Sequence, residues 1–119
     1  MARPLVVKVT CGSDDAERCN QGLTVAATAL TAGAEVSLWL TGEGAWLGTP
    51  AGVDLALPQA APANELVAAV LAAGRVTVCT QCAARRGITE GTVIEGVRIA
   101  GAAAYVEEAL APEAQALVY

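Results

Sequence analysis

The residues best suited to chemistry are two cysteines, Cys79 and Cys82, separated by two residues. This spacing serves thiol–disulfide redox pairs and metal sites alike. Cys79 follows the β-branched run 76–78, so we expect a strand to end there and a helix to begin. The free N–H groups of a helix start, together with Arg85 and Arg86, favour the nucleophilic thiolate over the thiol. Cys79 is therefore the leading candidate for a reactive group.

Cys11 is the second cysteine predicted to follow a strand. The carboxyl ends of parallel strands meet at one edge of a sheet, and functional residues gather there. In the common doubly wound order, the strands before Cys11 and Cys79 are neighbours, which predicts one crevice lined by both thiols. Cys19 lies inside the first predicted helix and is interpreted as a packing residue. The chain has no histidine, which excludes a Cys–His dyad.

The spacing of the four cysteines gives less support to a metal site than to chemistry at a thiol. A four-cysteine zinc or iron–sulfur site needs Cys11 and Cys19 as well as the pair, and their seven-residue spacer is unlike the usual zinc knuckle. We therefore expect no metal and no other cofactor. A thioredoxin-like interpretation is also weakened, because the tryptophan and glycine-proline that usually surround that motif are missing.

The glycine-rich segment 42–52 contains two large apolar residues, Trp46 and Leu47. Its glycines match neither the dinucleotide-binding motif nor the phosphate-binding loop, which indicates a flexible loop. If Trp46 and Leu47 are exposed, they form an interface or a lid over the thiols. If they are buried, they anchor the loop against the sheet. The sequence leaves both interpretations open, and Trp46 is a candidate binding residue.

Strands alternate with helices along the whole chain. This alternation predicts one α/β domain over residues 1–119, with a five-stranded, mostly parallel sheet and helices on both faces. Asp14 and Asp15 suit the positive start of the first helix and are not interpreted as catalytic acids. We predict strands at 5–10, 36–40, 76–79, 97–100 and 116–118, and helices at about 14–32, 63–73, 83–86 and 102–110.

Composition narrows the possible partners. The formal net charge is −5, which argues against nonspecific nucleic-acid binding, since that requires a basic face. The longest apolar runs fall well short of the roughly 20 residues that cross a membrane. The apolar run after Met1 is too short for a signal peptide. We therefore expect a cytoplasmic protein in which the four cysteines are thiols rather than structural disulfides.

The segment 78–88, VCTQCAARRGI, resembles the signature of the DsrE/DsrF-like family of sulfur-relay proteins. That signature has a cysteine at the end of a buried strand, a short helix with a basic residue, and a glycine followed by an apolar residue. The resemblance implies a five-stranded parallel sheet and assembly into trimers or hexamers. It also implies that Cys79 accepts a sulfane sulfur as a persulfide and passes it to a partner protein.

Two cysteines depart from this signature. Cys82 is an extra thiol, present in some relatives and absent from others, and it is able to resolve a persulfide as a disulfide with Cys79. Cys11 is also outside the signature. The leading hypothesis is a persulfide carrier that works between sulfur donor and acceptor proteins, with Arg85 and Arg86 favouring the thiolate. The alternatives are an oligomeric interaction subunit without catalysis, or a redox or metal-binding protein using Cys11, Cys79 and Cys82.

Overall fold

A computed structural model describes residues 2–119. The strands are β1 (Pro4–Val9), β2 (Glu35–Leu40), β3 (Arg75–Cys79), β4 (Arg98–Ala100) and β5 (Gln115–Val118). The α-helices are α1 (Ala16–Thr31), α2 (Ala63–Ala73), α3 (Thr80–Arg85) and α4 (Ala102–Ala109), and 3₁₀ helices occupy Ser13–Asp15 and Gly42–Gly48. Among residues 2–119, no helix combines the length and the apolar character needed to cross a membrane.

The strands form one sheet in the order β4-β3-β2-β1-β5, and every neighbouring pair is parallel. This confirms the predicted α/β domain with five parallel strands. The predicted adjacency of β1 and β3 is wrong, because β2 lies between them. The crossovers through α1 and α2 both move the chain by one strand in the same direction. Since such crossovers are right-handed, both helices lie on one face of the sheet.

The main core lies between the sheet and the helix pair α1–α2. Alternate residues of a strand point to the same face, so every second residue of β1, β2 and β3 packs under these helices. The helices contribute small and branched side chains at helical spacing. The fully buried members of this core include Val7, Val9, Leu38, Leu40, Val76 and Val78 from the strands, and Leu23, Ala26, Val67 and Val70 from the helices.

The start of α1 follows the prediction closely. The Asp15 carboxylate accepts a hydrogen bond from the Arg18 amide at 3.4 Å and caps the helix. The Asp14 carboxylate accepts from the Gly12 amide at 2.7 Å. Both aspartates therefore satisfy free backbone donors at a helix start. Cys19, one turn further along α1, is fully buried and is confirmed as a packing residue.

The opposite face of the sheet is covered by α4 and is more polar. The Trp39 and Tyr105 rings meet edge to face at 5.4 Å between centroids, a favourable aromatic geometry. Lys8 Nζ lies 4.9 Å from the Tyr105 ring centroid, and the Arg98 guanidinium lies 5.3 Å from the Trp39 ring. These cation–π contacts order one side of the α4–sheet interface.

Glu108 on α4 is the main polar link between this helix and the sheet. Its carboxylate accepts hydrogen bonds from the Ser37 hydroxyl at 2.5 Å, the Trp39 indole N–H at 3.0 Å and Arg98 at 2.6 Å. Arg75 adds a more exposed ion pair at 3.3 Å. Burial raises the pKa of Glu108, but the donors from Ser37, Trp39 and Arg98 outweigh it and hold the pKa below its usual value. The carboxylate therefore stays ionised in its partly buried position.

Candidate functional site

Cys79 ends β3 and is the N-cap residue of α3. It pairs in register with Ala100 of β4, so it lies at the carboxyl edge of the sheet, as the sequence predicts. The thiol is half-buried. The backbone changes at this residue from an extended strand to a helix, so the thiol lies beside the free N–H groups of the first turn of α3.

The surroundings of Cys79 favour a thiolate. Burial raises the pKa of the Cys79 thiol, but hydrogen bonds from the backbone N–H of Cys82, the Cys82 thiol and the backbone N–H of Gln81 lower it. The positive charge of Lys8 lowers it further, and the net pKa lies below the ordinary value for cysteine. The lowered pKa increases the fraction of Cys79 present as thiolate, which is the nucleophilic form of cysteine.

The short helix α3 is closed by a Schellman motif. Gly87 has a left-handed φ of +68°, and its N–H donates to the Ala84 carbonyl at 3.3 Å while the Ile88 N–H donates to the Ala83 carbonyl at 2.9 Å. Ala83 and Ile88 are both buried, which is the apolar contact typical of this motif. The glycine-apolar end of the sequence signature therefore fixes α3, and with it the position of Cys82.

Cys82 lies one turn into α3 and contacts the 42–48 segment, defined here as the 3₁₀ helix Gly42–Gly48. The Gly42 amide donates a hydrogen bond to Cys82 Sγ at 3.2 Å. Gly42 has a φ of +55°, and a Cβ at this position would collide with the Thr10 carbonyl at the end of β1. Only glycine allows this close approach. The predicted flexible loop is thus a defined turn that positions a donor on Cys82.

The two arginines of the signature have different surroundings. Arg86 Nε makes an ion pair with the Glu43 carboxylate at 2.8 Å, and its guanidinium also donates to the Cys82 carbonyl at 3.2 Å. Arg86 therefore ties α3 to the 42–48 segment. Arg85 is exposed on α3. The positive charge of Lys8 also lowers the pKa of Cys79.

Lys8 is the functional candidate that sequence reasoning missed. It interrupts an apolar strand between the fully buried Val7 and Val9, so strand alternation places it on the polar α4 face. A lysine inside an otherwise apolar strand is visible in the sequence and indicates a residue with a polar role. Linking it to Cys79 requires knowing that both residues face the same side of the sheet, which depends on the register of β1, β2 and β3.

The remaining two cysteines are buried. Cys11 is 4% exposed and Cys19 is fully buried. Burial and the nearby charges of Asp15 and Asp14 raise the pKa of Cys11, and burial raises the pKa of Cys19 to about 12. Both thiols are therefore protonated and poorly reactive near neutral pH.

A metal site built on Cys11, Cys79 and Cys82 is not assembled. Among residues 2–119, no three side chains of histidine, cysteine, aspartate or glutamate come close enough to hold a metal ion. The physical reason is the strand order, because β2 separates the strands that end near Cys11 and Cys79. The predicted crevice shared by these two thiols is therefore wrong as well.

Trp46 and Leu47 anchor the 42–48 segment. Leu47 is fully buried and Trp46 is partly buried against the same core, so the exposed pair considered as one alternative is wrong for Leu47. The Thr49 hydroxyl donates to the Trp46 carbonyl at 2.6 Å and closes the turn. Sequence periodicity does not distinguish these cases, because burial here depends on how the turn folds back over β3.

Comparisons with known proteins agree with this fold. The family model described as the DsrE/DsrF-like family matches residues 5–115. The fold is similar to that of the YchN protein from E. coli, with a TM-score of 0.79 and 16% identity over 100% of both chains. It is also similar to MTH1491 from Methanobacterium thermoautotrophicum, a protein of unknown function, with a TM-score of 0.74 and 10% identity over 100% of both chains. No curated protein sequence matches the chain.

Proposed function

Because this chain belongs to the DsrE/DsrF-like family, we propose that it carries sulfane sulfur as a persulfide on Cys79. The observation that carries the proposal is the thiolate-favouring environment of this half-buried cysteine at the carboxyl edge of the sheet. The family supports a sulfur-relay type of protein, and sulfurtransferase-like persulfide transfer by this chain is the finer step that we propose.

The proposed chemistry needs one accessible thiolate. Cys79 Sγ attacks the sulfane sulfur of a donor, forming a new S–S bond while the donor's S–S bond breaks and the donor leaves as a thiolate. A thiolate of the acceptor then attacks the outer sulfur, and Cys79 leaves as a thiolate. No net oxidation occurs, since each step exchanges one S–S bond for another. The amides of Gln81 and Cys82 stabilise the thiolate of Cys79 before it attacks the donor and again when it leaves after transfer to the acceptor.

The other site residues support this thiol in the proposal. Arg86 holds α3 against Glu43, and Cys82 helps to lower the pKa of Cys79. Arg85 is exposed beside the site, where it is suited to contact an anionic sulfur donor or an acidic surface. The partners are sulfur donor and acceptor proteins, and we place the relay in the cytoplasm.

The direct test is the loading of the protein with sulfur from a low-molecular-weight polysulfide. We expect intact-mass spectrometry of samples quenched early in the reaction, before any later loss of sulfur, to show the gain of one sulfur atom by the wild-type chain. Cys79→Ser should gain essentially none, and Cys11 and Cys19 do not replace it because they are buried thiols with raised pKa values. Cys19→Ala is the matched control, since it removes a buried cysteine, and it should load normally. Equal loading of Cys79→Ser, or no loading of the wild-type chain, would contradict the proposal.

We propose in addition that the protein is a homo-oligomer, as a trimer or hexamer. The supporting observation is that the exposed large hydrophobic residues of the described chain all lie on or beside α4 and β5: Val106, Leu110, Leu117 and Val118. Leu110 is 79% exposed and Val118 is 62% exposed. An apolar group of this kind at a sheet edge is suited to contact a second copy.

Light scattering tests this assembly. We expect Leu110→Glu to shift the protein from an oligomer toward a monomer, because it places a charge in the apolar contact. Ala69→Glu is the control, since Ala69 is exposed on α2, on the opposite face of the sheet. A monomeric wild-type protein, or equal masses for all three proteins, would count against the assembly.

A further inference from the structure

The pair Cys79 and Cys82 contains more than a persulfide carrier requires. A carrier needs one thiol, yet here a second, half-buried thiol follows within the first turn of α3. Cys79 is the N-cap of α3 and Cys82 is its third residue. Helical side chains lean toward the helix start, so this spacing directs the Cys82 thiol to Cys79. The proximity of the two thiols therefore follows from their spacing at the start of α3.

Cys82 is also held in place from two sides. The Gly42 amide donates to Cys82 Sγ at 3.2 Å, and Arg86 donates to the Cys82 carbonyl at 3.2 Å while pairing with Glu43. An N–H directed at a sulfur stabilises negative charge on that sulfur. This donor is thus placed where Cys82 would develop thiolate character as it loses its proton.

We propose that Cys82 discharges the persulfide on Cys79 as hydrosulfide, leaving a Cys79–Cys82 disulfide. This inference rests on the proposed function. Cys82 Sγ attacks Cys79 Sγ, the inner sulfur of the persulfide. The bond between the two cysteine sulfurs forms, the bond to the outer sulfur breaks, and the outer sulfur leaves as hydrosulfide with the proton that Cys82 releases. The sulfane sulfur is reduced by two electrons, and the two cysteine thiols are oxidised by the same two electrons.

The consequence is a competition at Cys79 between transfer and discharge. A partner thiolate attacks the outer sulfur and keeps it as sulfane sulfur, whereas Cys82 attacks the inner sulfur and releases it as sulfide. The internal attack needs no encounter with a second molecule, so it dominates when no acceptor is docked. A dithiol reductant then restores both thiols by exchange with the disulfide.

The test follows the fate of loaded sulfur after the polysulfide donor is removed. For the wild-type chain, we expect equimolar sulfide release and an intact mass two hydrogen atoms below that of the reduced protein, reversed by dithiothreitol. Cys82→Ser should load more slowly, because the thiol that helps to lower the pKa of Cys79 is missing. Once loaded, it should keep its persulfide about tenfold longer or more, because the intramolecular nucleophile is missing. Cys19→Ala, which also lacks one cysteine, should discharge like the wild-type chain.

The outcomes separate this inference from the proposed function. If wild type and Cys82→Ser both load and keep their sulfur equally long, the discharge role is wrong while the carrier function stands. If sulfur moves to Cys82 without sulfide release, Cys82 is a relay thiol and the inference is also wrong. If no variant loads, the carrier function and the inference fail together. Cys82→Ala repeats the comparison without a hydroxyl to occupy the Gly42 amide.

Discussion

Replacing Glu108 by alanine should lower the free energy of unfolding by about 2–4 kcal/mol. The Ser37 hydroxyl, the Trp39 indole and the Arg98 guanidinium all donate to this carboxylate, whose side chain is only 16% exposed. Removing the shared acceptor leaves these donors unpaired at the α4–sheet interface. The ion pair with Arg75 adds little, because that side chain is 57% exposed and screened by water.

Urea unfolding followed by circular dichroism measures this loss. Glu107→Ala is the matched control, because it removes the neighbouring and exposed glutamate of the same helix. We expect the control to change the free energy of unfolding by less than about 0.5 kcal/mol. Similar values for the Glu107 and Glu108 variants would show that the carboxylate does not hold α4 on the sheet.

The contribution of Glu108 should also depend on pH. Its pKa is lowered in the folded protein from the reference value of 4.5, so the folded state favours the ionised form. The stabilisation is present above pH 4.5 and is lost as the pH falls through the lower pKa of the folded state. The difference in stability between wild type and Glu108→Gln should therefore shrink on acidification below that reference value.

Gly42→Ala should destabilise the protein by about 2–4 kcal/mol and disturb the thiol pair. A left-handed φ of +55° costs an L-residue about 1–2 kcal/mol, and the new Cβ would collide with the Thr10 carbonyl. The 42–48 segment must then shift away from β1. Such a shift removes the Gly42 N–H from Cys82 Sγ.

Gly33→Ala separates backbone strain from the collision. Gly33 has a φ of +87°, and a Cβ there meets nothing within 4 Å, so this variant reports strain alone, about 1–2 kcal/mol. Urea unfolding gives both energies, and alkylation mapped by mass spectrometry reports the accessibility of Cys82. We expect extra destabilisation and faster Cys82 alkylation only in Gly42→Ala. Matching results for the two glycine variants would show that the turn does not support the site.

The local sequence is sufficient to predict the helices and strands and to identify Cys79 as the leading candidate for a reactive thiol. The β-branched run before Cys79 predicts a strand end, and the residues after it predict a helix start, so the placement of Cys79 follows from the local sequence. The strand order could not be predicted in the same way, because the residues between β2 and β3 do not encode which side of β2 the chain returns to. The error concerning the crevice with Cys11 has this cause. The omission of Lys8 has another, since the register that places it on the same face as Cys79 is not visible in any one strand.

The pairing of β1 with β5 has a consequence for synthesis of the chain on the ribosome. The hydroxyl of Thr10 donates to the Tyr119 carbonyl across 109 positions of sequence, so β1 keeps an unpaired edge until the last strand has emerged. Such non-local pairing slows folding, and a free strand edge invites association with other nascent chains. Stalled or truncated chains that lack residues 115–118 should therefore be the aggregation-prone species of this protein.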